Sequence, residues 1–256
     1  MKIAVIGATG RIGARLVRIL RQEDVRVVEA ARSRGVDIVT GAGLAQALED
    51  TDVVVDVSNA SPLDGGAALR FFQTAGRNLI AAGRIAGVRH HLILSIVGLD
   101  RLMAGDYFRA KQAQEDLVRA SGIPFTIVRS TQFFEFIADV VQDGTARDIR
   151  ISPALAQPIA GENVAATLAD AVFSQPFDTP IEIAGPEQFR LADIATEIAT
   201  AHEDGRRVVA DVHAPYFGIE IGERTLLPDS DARLASLRFE DWLRDSLQPH
   251  PMSFTA

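Results

Sequence analysis

The first half of the chain alternates two hydrophobic patterns. Short, nearly unbroken apolar runs give way to stretches in which apolar positions recur every three or four residues. The runs have the length of buried strands and the stretches have the period of amphipathic helices. In order they predict a strand over Lys2–Ile6, a helix carrying Ile12, Leu16, Ile19 and Leu20, and a second strand over Arg26–Ala30. A short third strand at Asp37–Val39, a short helix over Leu44–Leu48 and a fourth strand over Val53–Val57 follow. Next come a long helix within Gly66–Gly87, with Leu69, Phe72, Leu79 and Ile80 on its apolar side, and a fifth strand over His91–Ser95. A helix over Tyr107–Ser121 and a sixth strand over Phe125–Arg129, entered through Gly122-Ile123-Pro124, complete the series. Strands that are apolar along their length and alternate with helices belong in a parallel sheet covered on both faces. Right-handed crossovers make that a doubly wound α/β sheet of the Rossmann type.

After Phe133 the pattern changes. A helix is predicted over Phe134–Gln142, and short strands at Ile149–Ile151, Ile181–Ile183 and Val208–Val212. Helices over Asn163–Phe173, Leu191–His202 and Phe239–Leu247 lie among them, and prolines break the region into small units. Residues 134–256 therefore read as a small C-terminal α/β lobe that closes over the carboxyl ends of the strands, with part of the chain returning to the main sheet. Residues 1–133 form the first unit. Pro249–Ala256 reads as a loose tail.

The junction of the first strand and first helix carries the first candidate chemistry. Gly7, Gly10 and Gly13 stand three apart in Gly7-Ala8-Thr9-Gly10-Arg11-Ile12-Gly13. Strand, glycine turn and helix place a helix N-terminus against a phosphate. Gly7 suits a sharp turn, Gly10 a close approach to a pyrophosphate, and Gly13 tight packing of helix on sheet. The spacing is GxxGxxG rather than GxGxxG. The loop implies a dinucleotide. After the second strand comes Ala31-Arg32-Ser33-Arg34, with no acid to hold a ribose 2′-hydroxyl. Arg32, with Arg11 near the same group, suits a 2′-phosphate, so NADP(H) is favoured over NAD(H). The alternative is that Arg32 and Arg34 are solvated loop charges. Ser58 and Asn59, in Ser58-Asn59-Ala60-Ser61-Pro62 after the fourth strand, are candidates for ribose or pyrophosphate contacts; the alternative is a plain turn.

The candidate catalytic group follows the fifth strand. Ser95 ends that strand, and Tyr107 and Lys111 stand four apart on the next helix, sharing a face. A lysine ammonium beside the phenol is expected to lower its pKa and ready it for proton transfer. Tyr107 is then a proton donor to a carbonyl oxygen, Ser95 a hydrogen-bond donor to the same oxygen, and Lys111 also a ligand of the ribose hydroxyls. The alternative is an ordinary packed tyrosine and a surface lysine. Of the 26 Lys and Arg residues only Lys2 and Lys111 are lysine, which makes Lys111 stand out.

Composition narrows the partners. The 256 residues carry a formal net charge of -8, which argues against a general nucleic-acid or anionic-membrane binder. There is no cysteine, which excludes disulfides and thiolate chemistry, and the five histidines lack metal-ligand spacing, so no metal is expected. No apolar run approaches the roughly 20 residues of a membrane span, and the chain enters its first strand without a signal-peptide core. A cytoplasmic protein with a small-molecule substrate is the expectation, and an oligomer is left open.

The glycine segment Gly7–Gly13, Ser95 and Tyr107-Phe108-Arg109-Ala110-Lys111 together resemble a short-chain dehydrogenase/reductase. Leu94-Ser95-Ile96-Val97-Gly98 and the segment from Pro124 to Phe133 resemble its atypical, NmrA-like NAD(P)H-binding branch. The resemblance spans residues 1 to about 200. It implies a Rossmann domain, a bound NAD(P)(H), a substrate site under the C-terminal lobe, and a loop at Ser130–Phe133, with Thr131, Gln132 and Phe133, beside the nicotinamide. Where the family often has Gly-Asp-Leu near the adenine, this chain reads Gly41-Ala42-Gly43-Leu44. The leading reading is an NADPH-dependent oxidoreductase that reduces a small carbonyl or quinone. The alternative is a non-catalytic NAD(P)H-binding redox sensor of NmrA type; an epimerase or dehydratase of a nucleotide-linked sugar ranks third. Phe133, Phe134, Phe136, Tyr216 and Phe217 are candidates to line an apolar pocket.

Overall fold

The computed structural model describes residues 1–60, 65–143 and 147–248. In chain order the elements are β1 (Lys2–Ile6), α1 (Arg11–Leu20), β2 (Arg26–Ala30), α2 (Leu44–Leu48), β3 (Val53–Asp56), α3 (Gly65–Ala86), β4 (His90–Ile96), α4 (Asp106–Arg119) and β5 (Phe125–Ser130). Then follow α5 (Phe134–Asp143), β6 (Asp148–Ile151), β7 (Leu155–Ala156), α6 (Gly161–Phe173), β8 (Pro180–Ala184) and β9 (Phe189–Arg190). The last are α7 (Leu191–Ala201), β10 (Arg207–Ala210), β11 (Arg233–Leu234) and α8 (Phe239–Ser246). The tail beyond Gln248 lies outside the described residues.

Among the described residues seven strands form one sheet in the order β11-β8-β5-β4-β3-β1-β2, every neighbouring pair parallel. Helices α1 and α6 cover one face, where Ile12, Leu16 and Leu20 pack with Val164 and Leu168. Helices α2 and α3 cover the other through Leu44, Leu48, Ala75 and Leu79, and Val118 of α4 packs there on Ile93 and Ile127. This is a Rossmann-type α/β fold. The strand order reverses around β1, whose neighbours are β2 and β3, and the loop after β1 opens at that switch point.

Two expectations are corrected. Asp37–Val39 is a turn rather than a strand. Asp37 Oδ1 accepts from the amides of Val39 (2.8 Å) and Thr40 (3.2 Å), and Asn78 of α3 donates to the carbonyls of Ile38 and Val39. These bonds use the groups a ladder would need. Leu69 stands exposed on α3, while Phe72, Leu79 and Ile80 are buried as expected.

Beyond Phe133 the chain returns to the main sheet: β8 pairs with β5 and β11 with β8. The pairs β6–β10 and β7–β9 stand apart as two-stranded pieces. A third core gathers α5, α7 and Phe239 against Phe72 and Phe108 of the first half.

Candidate functional site

The carboxyl ends of β1, β3, β4 and β5 open onto one cleft of about 1060 Å³. The glycine turn forms its floor. Gly7 has φ +80°, and its amide donates to the Ala30 carbonyl (2.9 Å). A Cβ on Gly13 would lie 2.1 Å from the Gly7 carbonyl oxygen, so α1 approaches the turn more closely than any other residue allows. Helix α1 starts after Gly10 with no side-chain cap and no acid in its first turn. Its free N–H groups make an anion-binding end at the cleft.

The cleft gathers Gly7, Thr9, Gly10, Arg11, Ile12, Arg32, Ser58, Asn59, Ser95, Tyr107, Lys111, Thr131, Gln132 and Phe133. Ala8 and Gly13 do not line it: Ala8 is buried in the core beside α1, and Gly13 serves the packing just described. Ser61 and Pro62 lie outside the described residues.

Two wall residues carry unspent hydrogen-bonding capacity. Ser58 Oγ and Thr131 Oγ1 are buried without a partner among the described residues, whereas the Ser95 hydroxyl lies against the Glu115 carboxylate and the Gln132 amide against the Tyr216 hydroxyl. Buried polar atoms are nearly always paired, so a polar ligand is the missing partner. With the glycine cradle, these residues fit a dinucleotide.

The arginines divide. Arg34 pairs with Glu29 (3.4 Å) and Arg11 with Asp139 of α5 (2.6 Å). Arg32, on the exposed turn Arg32–Arg34, lines the cleft and has no ion pair among the described residues.

Tyr107 and Lys111 project from one face of α4 into the cleft, but they do not act on each other. The Tyr107 hydroxyl donates to Asn59 Oδ1 (2.8 Å). Lys111 Nζ donates to the Leu94 carbonyl (2.8 Å) and to Gln114 Oε1, and lies 4.7 Å from the Phe72 ring centroid. The expected lowering of the phenol pKa is therefore corrected. Burial pushes Tyr107 up to about 12, against the opposing bond to Asn59. Burial also brings the Lys111 ammonium down to about 8, against the pull of Asp56 and Glu115.

Sequence reasoning missed what holds Lys111. Gln114 Nε2 donates to Asp56 Oδ2 (3.0 Å), and Asp56 Oδ1 accepts from the Ser58 amide (2.9 Å). The chain Ser58–Asp56–Gln114–Lys111 thus ties the β3 turn to α4. Its signals were present: an acid closing the apolar run Val53–Asp56, and a glutamine one turn beyond Lys111. Below it Glu115, wholly buried, takes both Arg129 Nε (2.9 Å) and Nη2 (2.7 Å), and also Arg119 (2.7 Å). Burial alone would raise the Glu115 carboxyl, but Arg129, the Ser95 hydroxyl and Arg119 hold it below the usual range. Asp37 and Phe71 also line the cleft and went unpredicted.

The sequence pattern of the NAD(P)H-binding family matches residues 7–175, more than half of the chain. The chain belongs to that family. This NAD(P)H-binding protein is 34% identical over 148 residues to a (4-alkanoyl-5-oxo-2,5-dihydrofuran-3-yl)methyl phosphate reductase of Streptomyces griseus, a match covering 51% of this chain and 48% of the relative. It is 26% identical over 149 residues to the photosystem II assembly factor Ycf39 of Cyanophora paradoxa, covering 53% of this chain and 46% of the relative. The chain spans about half the length of the curated relatives it matches. Its fold is similar to a dTDP-4-dehydrorhamnose reductase of Clostridium acetobutylicum, with TM-score 0.71, 16% identity and 90% of each chain covered. The chain is thus an NAD(P)H-binding protein of the short-chain dehydrogenase/reductase-like superfamily. Among its described residues no helix is long and apolar enough to cross a membrane, and no cluster of potential metal ligands is present.

Proposed function

We propose that this chain is an NADPH-dependent reductase of a small carbonyl or quinone compound, with Tyr107 as the proton donor. The observation that carries this reading is the position of the Tyr107 hydroxyl, buried at the cleft wall on Asn59. In this reading residues 1–133 hold the cofactor and residues 134–256 shape the substrate's place. Gly7, Thr9, Gly10, Arg11, Ile12, Ser58, Asn59, Thr131, Gln132 and Phe133 line the dinucleotide, Lys111 faces its ribose, and Arg32 takes the 2′-phosphate. Bound NADPH supplies the hydride. Tyr107 gives its proton to the substrate oxygen as negative charge develops there, and regains one from solvent. A phenol held near pKa 12 is fully protonated at neutral pH, the state a donor needs, and an alkoxide is basic enough to take that proton. Ser95, on the cleft wall, turns its hydroxyl from Glu115 to act as the second donor to that oxygen.

A Tyr107→Phe variant is expected to bind NADPH as the native protein does and to lose turnover by about a hundredfold or more. Turnover that survives the substitution overturns the assigned acid role. A second reading, a redox sensor that binds cofactor and docks a protein, draws on the engagement of both Tyr107 and Lys111 by other residues and on likeness to an assembly factor. NADPH binding without reduction of any compound in a broad carbonyl and quinone panel would favour it.

A further inference from the structure

Three aromatic rings at the cleft share a stack. Tyr107 and Phe217 lie with centroids 5.3 Å apart and planes 11° from parallel. Phe136 and Phe217 are also 5.3 Å apart, at 14°. Phe217 is the ring the other two hold in common, and all three line the cleft.

The backbone that carries Phe217 does not favour it there. Reciprocal bonds between Tyr216 and Ile219 (2.8 and 3.2 Å) close a two-residue hairpin turn with Phe217 and Gly218 at its tip. Both tip residues have positive φ, +50° and +83°. Such a turn favours glycine and asparagine, and a bulky side chain at positive φ is strained. The ring is kept inward by stacking on Tyr107 and Phe136 and by edge-on contacts with Phe108 (5.5 Å) and Tyr216 (4.8 Å). The tip lies in the stretch from Asp211 to Gly222, which contributes no residue to the main sheet. A competing flat ring would take both stacked faces and leave the strained Phe217 only its edge contacts.

We propose that Phe217 stands in for the substrate, and that the substrate is a flat, conjugated ring carbonyl, a quinone or cyclic enone, that stacks on Tyr107 and Phe136 as Phe217 withdraws. The carbonyl in this class rests on the reductase reading above; the stacking does not. A flat ring makes full face contact with Tyr107 and Phe136, whereas a puckered ring makes poorer contact with either aromatic face.

The test is calorimetric binding of 1,4-naphthoquinone and of cyclohexanone at saturating NADP+, where no reduction takes place. The absence of cysteine removes thiol addition to the quinone as a confounder. Phe217→Gly, which suits the positive φ and keeps the turn, is expected to bind naphthoquinone at least fivefold more tightly than the native protein. Phe217→Trp, a larger stopper, is expected to bind it at least fivefold more weakly, and cyclohexanone is expected to change less than twofold in either. Circular dichroism melting confirms that both variants fold. Unchanged or weaker naphthoquinone binding by Phe217→Gly overturns the proposal, as does an equal gain for cyclohexanone, which would mark a simple enlargement of the cavity. Naphthoquinone that binds as expected but is never reduced by NADPH overturns the reductase reading and leaves this one standing. Reduction that is indifferent to Phe217 does the reverse.

Discussion

Tyr107 and Lys111 show how far residue spacing carries. Four positions apart on a helix, they had to share a face, and they do. Their protonation followed from burial, a tertiary property that spacing does not encode: both are nearly excluded from water, so both shift toward the neutral form. The same limit governs the arginines. Arg32 and Arg34 look equivalent in sequence, but Glu29, across the strand end, occupies Arg34 and leaves Arg32 facing the cleft. If Arg32 holds a 2′-phosphate, Arg32→Ala removes a charge-assisted contact worth about 1.5–3 kcal/mol. NADPH affinity should then fall about tenfold or more by nicotinamide fluorescence titration, with NADH affinity unchanged. Arg34→Ala should alter neither. Equal losses for NADPH and NADH would remove the assigned preference.

Elements were legible wherever the hydrophobic period was long. Strands β1 to β5 and helices α1, α3 and α4 lie within a few residues of their predicted limits. The failure at Asp37–Val39 is instructive, because three residues carry too little period to outweigh one aspartate that caps its own turn. Helix α4 also depends on something its pattern hides. Its inner face is polar, with Lys111, Gln114 and Glu115 all buried, and Glu115 is tolerable there only through Arg129 and Arg119. Removing one side of a buried pair leaves the other uncompensated, so Glu115→Gln should lower unfolding stability by about 3 kcal/mol in urea melts at neutral pH. The pH dependence has a fixed sign. A carboxyl lowered on folding stabilises above its unfolded pKa of about 4.3 and loses that contribution as acid protonates it in the folded state. The native protein should therefore lose stability more steeply below pH 4.3 than Glu115→Gln does. Parallel curves would show that the ion pair contributes nothing net.

At the scale of the molecule, the change of pattern after Phe133 and a partial return of the chain to the main sheet were legible, but which strand it would join and which helix it would cover were not. A division of labour at residue 133 does not require a division of folding. Beyond that point come β8, which covers the edge of β5, and α6, which covers α1. Val164, Leu168, Val172 and Ile183 are buried in the same core as Ile12 and Leu16 of the glycine-loop helix. Four such side chains contribute roughly 1.5–3 kcal/mol each, or about 6–12 kcal/mol together. That matches the whole net stability of an ordinary domain, about 5–15 kcal/mol. A fragment of residues 1–133 would keep every glycine of the cofactor loop and both Tyr107 and Lys111. It would also expose one face of α1 and the open edge of β5. We expect that fragment to lack a cooperative thermal transition by circular dichroism and to show no NADPH fluorescence enhancement. The full chain should unfold in a single calorimetric transition, raised by several degrees at NADPH concentrations near 100 times its Kd, where binding adds about 2.7 kcal/mol. A fragment that melts cooperatively and binds NADPH would show that the cofactor half folds alone and that the later chain serves the substrate's side of the cleft only.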